Sequence, residues 1–202
     1  SLPGCPDGST VTNTWTATDC AGNVATHSQV VTVEDTTPPV LSATPASITV
    51  TCVDNVPGDP GISANDNCQG SVNVNFSQSP LPNCAGDGVV VNTWTAADCA
   101  GNITTHTQIV TISDNVAPVL SSTPPNLTVS CAGNVPGDPG IAATDNCDGP
   151  VSVTFSQSSL PNCEGNGTVT NTWTATDCAG NSTTHQQVIT IDDTTPPVLS
   201  NE

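Results

Sequence analysis

The sequence of 202 residues contains no lysine and no arginine, against 18 acidic residues. Binding to a phosphate backbone rests on Lys and Arg displacing counterions, so nucleic acid is excluded as a partner. A formal net charge of −18 also repels the chain from anionic membrane surfaces. Lys–Asn isopeptide cross-links cannot form, and trypsin finds no site. No apolar run approaches the ~18 residues of a spanning helix, so this segment is not expected to insert into a membrane. Aromatic residues supply only 2% of the chain, which leaves little bulk for a hydrophobic core.

What is present is repetition. "TWTATDCAGN" at 14–23 returns as "TWTAADCAGN" at 93–102 and as "TWTATDCAGN" at 172–181. Cys5, Cys84 and Cys163 are separated by one constant step, as are Cys20, Cys99 and Cys178; the same step links Cys52 to Cys131 and Cys68 to Cys147. Trp15, Trp94 and Trp173 follow it, with His27, His106 and His185. Such a period is the mark of tandem repeats. It divides the chain into the second half of a repeat (1–34), two full repeats (35–113 and 114–192) and the opening strand of another (193–202). The two ends together supply 44 of 79 positions, so the chain is expected to be a window on a longer array. The rival reading has 193–202 donated as a strand to a neighbouring subunit.

Ten cysteines at fixed positions in short, polar repeats point to disulfides and to a secreted or cell-surface location. Thiolate metal sites fit poorly: the cysteines of a repeat lie far apart in sequence with no CxxC, and each repeat offers one His. Small domains with so little core commonly use covalent staples.

The local patterns are all strand. "SITVTC" (47–52) sets Ile48, Val50 and Cys52 against Thr49 and Thr51, and "SVNVNF" (71–76) sets Val72, Val74 and Phe76 against asparagines, the alternation of half-buried strands. In "VVVNTWTAADC" (89–99) Val90, Trp94 and Ala96 share a face, and "ITTHTQIVTI" (103–112) closes the unit with Val110 and Ile112. Turn signals separate them: "VPGDPG", "DNCQG", "LPNCAGDG" and "CAGN". Short antiparallel strands following one another within a single repeat predict an all-β fold of tandem β-sandwiches, held in a linear array by the Pro-stiffened "DTTPPVLS" (35–42).

Together "DTTPPVLS", "ITVTC", "ANDNC", "TWTAADCAGN" and "THTQIVTI" resemble the hyalin-type (HYR-like) and related immunoglobulin-like repeats found in tandem in very long bacterial surface and secreted proteins. The resemblance covers the entire chain. It implies a role as stalk, spacer or adhesive fibre.

No enzyme is expected. A Ser-His-Asp site is a unique constellation, whereas His27, His106 and His185 recur once per repeat in phase with core positions, and no paired carboxylates or nucleophile elbow stand out. Two functions remain. The first is a structural segment of an extracellular fibre or adhesin shaft that self-associates. The second is a glycan- or protein-binding module, disfavoured because the one Trp of each repeat lies in phase with the core rather than on an exposed platform.

Three sets of site residues follow. Covalent glycan is expected on the sequons at Asn75, Asn102, Asn126, Asn166 and Asn181, and on Thr36 and Thr194, whose "DTT" resembles a bacterial O-glycosylation signal. Strand direction puts Cys52 and Cys84 at one end of a repeat and Cys68 and Cys99 at the other. That predicts bridges Cys52–Cys84, Cys68–Cys99, Cys131–Cys163 and Cys147–Cys178, with Cys52–Cys68 and Cys84–Cys99 as the rival. The same reasoning gathers Glu34, Asp35, Asp66 and Asp98 at one junction, Asp114, Asp145 and Asp177 at the next, and Asp192 and Asp193 at a third. Like charges with no basic residue to offset them predict bound calcium, whose usual donors are carboxylate and amide oxygens.

Overall fold

The computed structural model describes residues 8–159, 166–196 and 198. Each full repeat folds into seven strands in two sheets. In the first they are β3 (Val40–Leu41), β4 (Ile48–Val50), β5 (Ala64–Asp66), β6 (Gly70–Val72), β7 (Val74–Gln78), β8 (Asp87–Ala97) and β9 (Ile103–Ser113). They follow a hairpin of β1 (Ser9–Thr18) and β2 (Val24–Val33). The second repeat contains β10 (Val119–Leu120), β11 (Leu127–Val129), β12 (Ala143–Asp145), β13 (Gly149–Val151), β14 (Val153–Gln157), β15 (Asn166–Thr176) and β16 (Ser182–Asp192). A three-stranded sheet runs β3-β5-β6 and a four-stranded sheet β4-β9-β8-β7; the second repeat has the orders β10-β12-β13 and β11-β16-β15-β14. No helix among the described residues is long and apolar enough to cross a membrane.

Two departures from the expected strands have local causes. "SVNVNF" is not one strand: the chain leaves the small sheet after Val72 and enters the large one at Val74. The inward alternation survives the switch, because Val72 is buried and Val74 packs against the same cluster. The pairing is also not wholly antiparallel, since β11 runs parallel to β16 with Leu127 beside Ile189.

One core cluster of the second repeat is built from Leu120, Ile141, Ala143, Trp173 and Ala175, with Val151, Val153 and Phe155 against it, and a second from Val169, Ile189 and Ile191. Trp173 is 1% exposed. Phe155 lies on one side of it at a ring separation of 5.3 Å, and His185 stacks on the other at 6.0 Å. His185 Nε2 donates to the Pro124 carbonyl at 2.9 Å, and His106 makes the same bond to Pro45. Both histidines are thus packing and bridging groups. In β1 the equivalent Trp15 is 53% exposed, because residues 1–34 contain no counterpart of the strands that cover Trp94 and Trp173.

A polar layer lies beneath the apolar one. Asn171 is fully buried in phase with Val169 and Trp173. Its Nδ2 donates to Gln187 Oε1 at 3.2 Å and to the Pro136 carbonyl at 3.1 Å, while its Oδ1 accepts from Gln157 Nε2 at 2.7 Å. Gln187 Nε2 reaches the Pro125 carbonyl at 2.8 Å. Asn92, Gln78 and Gln108 repeat the set on Pro57 and Ala46. The amides therefore pin irregular, Pro-containing segments onto the large sheet, satisfying carbonyls that no ladder strand reaches.

The indole Nε1 of Trp173 donates to Asp138 Oδ1 at 2.9 Å, and that of Trp94 to Asp59 at 3.0 Å. These bonds hold both carboxyls below their ordinary value of 3.8, with help from backbone N–H groups of the "GDPG" turns. A carboxyl whose folded pKa is depressed contributes stability above its unfolded pKa and loses it as pH falls through the folded value. Melting temperature is therefore expected to drop below about pH 4. The double variant Asp59→Asn, Asp138→Asn, which keeps an acceptor but no charge, should flatten that drop in a pH series of thermal melts.

Candidate functional site: the repeat junction

By contacts the described chain forms two compact units. One comprises Ser1–Ile48, Pro57–Pro80 and Val90–Val110; the other comprises Thr49–Val56, Leu81–Val89 and Thr111–Glu202. The division does not fall at a linker. One end of the first full repeat belongs with the second repeat, so the second unit contains a complete junction.

The recurrent turn supplies half of that junction. In "DCAGN" the Asp177 carboxylate accepts from both the backbone N–H of Asn181, at 2.7 Å, and its Nδ2, at 2.8 Å. Gly180 takes a positive φ of 94°, which glycine adopts without strain. Asn181 Nδ2 also donates to the backbone carbonyl of Asp114 in the linker, at 3.0 Å. Asp98, Asn102 and Asp35 make the same arrangement. The repeated Asp shapes the turn, and the repeated Asn ties that turn to the linker entering its own repeat.

Asp114 connects the linker backward. Its N–H donates to the Gly86 carbonyl at 2.7 Å, and its carboxylate accepts from the Val116 N–H and from Asn146 Nδ2. A Cβ placed on Gly86 would lie 2.8 Å from the Asp114 Cβ and 3.4 Å from that of Ala179. The junction is thus packed at backbone distance. Gly86→Ala is expected to destabilise it by about 1–3 kcal/mol through overpacking, whereas Gly58→Ala, with no neighbour within 4 Å, should have a smaller effect; urea melts of the two variants provide the check.

Two disulfides cross this junction. Cys52 is bonded to Cys147 and Cys84 to Cys178, with Cα–Cα distances of 5.2 and 5.5 Å. Cys20, Cys68 and Cys131 are free thiols, and Cys99 is disulfide-bonded. The expected pairings Cys52–Cys84, Cys68–Cys99, Cys131–Cys163 and Cys147–Cys178 are therefore corrected; Cys163 itself lies outside the described residues. The rival pairs Cys52–Cys68 and Cys84–Cys99 are absent as well. Strand direction does bring the right ends together, since Val53 N–H donates to the Ala85 carbonyl at 2.7 Å beside Cys52 and Cys84. Cys178 N–H likewise donates to Asp148 beside Cys147, at 2.7 Å. Cysteines sharing an end of a repeat do not bond to each other, because their sulfurs meet those of the adjoining repeat instead.

The acidic residues converge only partly. Carboxylate oxygens of Asp114 and Asp145 lie within 4.8 Å of each other and of Cys147 Sγ, as do those of Asp35 and Asp66 around Cys68. Asp98 and Asp177 belong to neither group, being engaged by Asn102 and Asn181. Glu34, Asp192 and Asp193 are exposed, and Asp193 accepts from the Thr195 N–H. Asp66 is buried with Oδ2 unpartnered, and Asp145 Oδ2 is unpartnered too. Backbone N–H groups led by that of Gln69 hold Asp66 below its ordinary pKa; at Asp145 burial opposes the shift, but the N–H groups of Asp148, Cys147 and Asn146 outweigh it. Both environments favour the charged form.

Of the sequons, Asn75, Asn126 and Asn166 are exposed, as are Thr36 and Thr194. Asn102 and Asn181 are half-buried, and their Nδ2 atoms each donate two hydrogen bonds within the fold. A glycan on either would displace one.

A family profile for the HYR-like domain with 4 cysteines matches residues 40–112 and again 119–191. The chain belongs to that family. No curated protein matches the sequence. Among solved structures, domains EC1–3 of protocadherin gamma C5 are 12% identical, with a TM-score of 0.33 over 90% of this chain and 77% of that one. EC1–3 of mouse clustered PcdhgC3 are 13% identical, with a TM-score of 0.35 over 91% and 77%. The M60 catalytic domain with its CBM51 domains from Clostridium perfringens ZmpB is 13% identical, with a TM-score of 0.32 over 88% and 33%. Likenesses this distant carry no functional argument. The HYR-like repeats of this chain, with their disulfides, are extracellular immunoglobulin-like modules.

Proposed function

We propose that the chain is a structural segment of an extracellular fibre or adhesin shaft, bacterial in origin, whose HYR-like repeats self-associate and carry glycan on Thr36, Thr194, Asn75, Asn126 or Asn166. The observation that supports this reading most is the pair of disulfides joining successive repeats, Cys52–Cys147 and Cys84–Cys178. A recognition domain needs stability within itself; covalent bonds placed between repeats resist separation of one repeat from the next. Their two attachment points also limit hinge and twist more than a single peptide linker can. Glycan on exposed Thr and Asn would add protection against proteolysis to a chain already without trypsin sites.

Calcium enters this reading at the carboxylate pairs Asp35 with Asp66 and Asp114 with Asp145. A hard cation there would offset the repulsion between ionised oxygens and stabilise the folded state by about 2.7 kcal/mol at a hundredfold excess over its Kd. Thermal melts with and without a calcium chelator test that point: unchanged melting and no metal in elemental analysis reject it. Electron microscopy of native material tests the function itself. Uniform unbranched fibres are expected, whereas isolated particles with saturable binding on a glycan array would replace the structural reading with recognition.

A further inference from the structure

We infer that successive HYR-like repeats of this kind are closed by the same two disulfides, and that Cys20, Cys68 and Cys131 are half-bonds whose partners are the cysteines at the equivalent positions of an adjoining repeat. The two observed bridges span 95 and 94 residues, one repeat period plus the separation of neighbouring cysteines within a repeat. Each therefore joins a cysteine at the far end of one repeat to one at the near end of the next. Stepping Cys84–Cys178 back by one period gives Cys5–Cys99, and Cys99 is indeed bonded. Stepping Cys52–Cys147 back gives Cys68 a partner before residue 1, and stepping it forward gives Cys131 a partner beyond residue 202. Cys20 falls under the same rule from the other bridge. The described free thiols, Cys20, Cys68 and Cys131, are those whose assigned partners are not in the sequence.

Local geometry supports the equivalence. Cys68 sits in the same turn as Cys147, its N–H donating to Asp66 Oδ1 at 2.8 Å as that of Cys147 does to Asp145 Oδ1. Its thiol lies among Asp35 and Asp66 as Cys147 lies among Asp114 and Asp145. Cys131 opens a short 3-10 turn, Ala132–Asn134, as Cys52 opens Val53–Asn55, and both carbonyls accept from the following Asn at 3.0 Å. Each of these two free thiols thus occupies a position whose counterpart is already bonded. Closure takes two thiols to a disulfide, releasing two protons and passing two electrons to an oxidising disulfide such as glutathione disulfide, which leaves as two thiols.

The test uses the full chain and an extended one in which residues 114–192 are inserted a second time after Asp192. Both are refolded in a glutathione redox buffer, alkylated and mapped without reduction. In the unmodified chain Cys5–Cys99 is expected, with Cys20, Cys68 and Cys131 alkylated. In the extended chain the first copy's Cys131 should become protected, bonded to the second copy's Cys147, while the second copy's Cys131 takes the label. Reducible multimers of the unmodified chain that grow with concentration and join Cys131 to Cys68 would show a second molecule supplying the same partner. Cys99 bonded to Cys20 or Cys68, or a Cys131 that stays alkylated in the extended chain or bonds to Cys163, would overturn the rule. Each of these readouts is independent of fibre formation.

Discussion

Loss of the junction disulfides is expected to lower the melting temperature of the second compact unit by roughly 10–20 °C, from the loop-closure and melting-point scales that apply to its size. Each bridge closes a loop of about 95 residues, and constraining the unfolded chain over about 100 residues is worth about 4.7 kcal/mol in the chain-entropy account. One kcal/mol shifts the melting point of a domain this size by about 4 °C. The two loops, 52–147 and 84–178, overlap through most of their length, so the second closure adds less than the first. Cys52→Ser with Cys147→Ser should therefore cost about 3–5 kcal/mol, with a smaller further loss when Cys84→Ser and Cys178→Ser are added. Replacing both members of a pair avoids the complication of a stray thiol. The comparison is made by calorimetry on the oxidised chain and on each paired variant. A melting point unmoved in all of them would mean that the repeats are held by packing at the junction, such as that of Gly86 against Asp114, and that the bridges add nothing.

The bridges also mark where the sequence stops being informative. The repeat period, the strand faces and the placement of Trp94 and Trp173 are legible directly, because alternation and repetition are properties of local sequence. The positions of the cysteines at the two ends of a repeat are legible for the same reason. Their partners are not. Pairing depends on which end of one repeat meets which end of the next, and Cys52 looks no different in sequence as a partner for Cys84 than as a partner for Cys147. The separation between Cys52 and Cys147 is nonetheless that between Cys52 and Cys68 plus one period, so a pairing rule that crosses junctions stands beside the rule that stays within them.

The acidic residues show a second limit. Recurrence at the turn suggests a metal-facing role for Asp98 and Asp177, but an Asp followed four residues later by Asn satisfies its own carboxylate through that Asn. The spacing "DxxxN" in the motif carries this information. Asn92, Asn171, Gln108 and Gln187 are absent from any set of candidate residues drawn from motifs, although Asn92 is in phase with Val90 and Trp94. A polar residue on a core face signals a buried hydrogen-bond network, and here the network reaches carbonyls of loops far away in sequence. Its partners become visible only in the fold.

Three copies of one motif with different surroundings allow a sharper test of how the core is held. Trp173→Ala should destabilise the second repeat by about 3–5 kcal/mol, the usual loss for a large aromatic removed from a core. The substitution removes the contacts with Phe155 and His185 and leaves Asp138 without its indole donor. Trp94→Ala should do the same in the first repeat, where Phe76 and His106 flank the ring and Asp59 loses its partner. Trp15→Ala should cost far less, because that ring is 53% exposed and only His27 lies beside it among described ring partners. The two repeats need not unfold as one transition, so hydrogen exchange measured strand by strand is the suitable probe. In Trp173→Ala the loss of protection should concentrate in Val153–Gln157, Asn166–Thr176 and Ser182–Asp192, three of the four strands of its own sheet. An equal loss from Trp15→Ala would mean that its hairpin is covered in solution by something supplying the missing strands. A negligible loss from Trp173→Ala would show that the amide layer around Asn171 and the disulfides, rather than the indole, hold the repeat together.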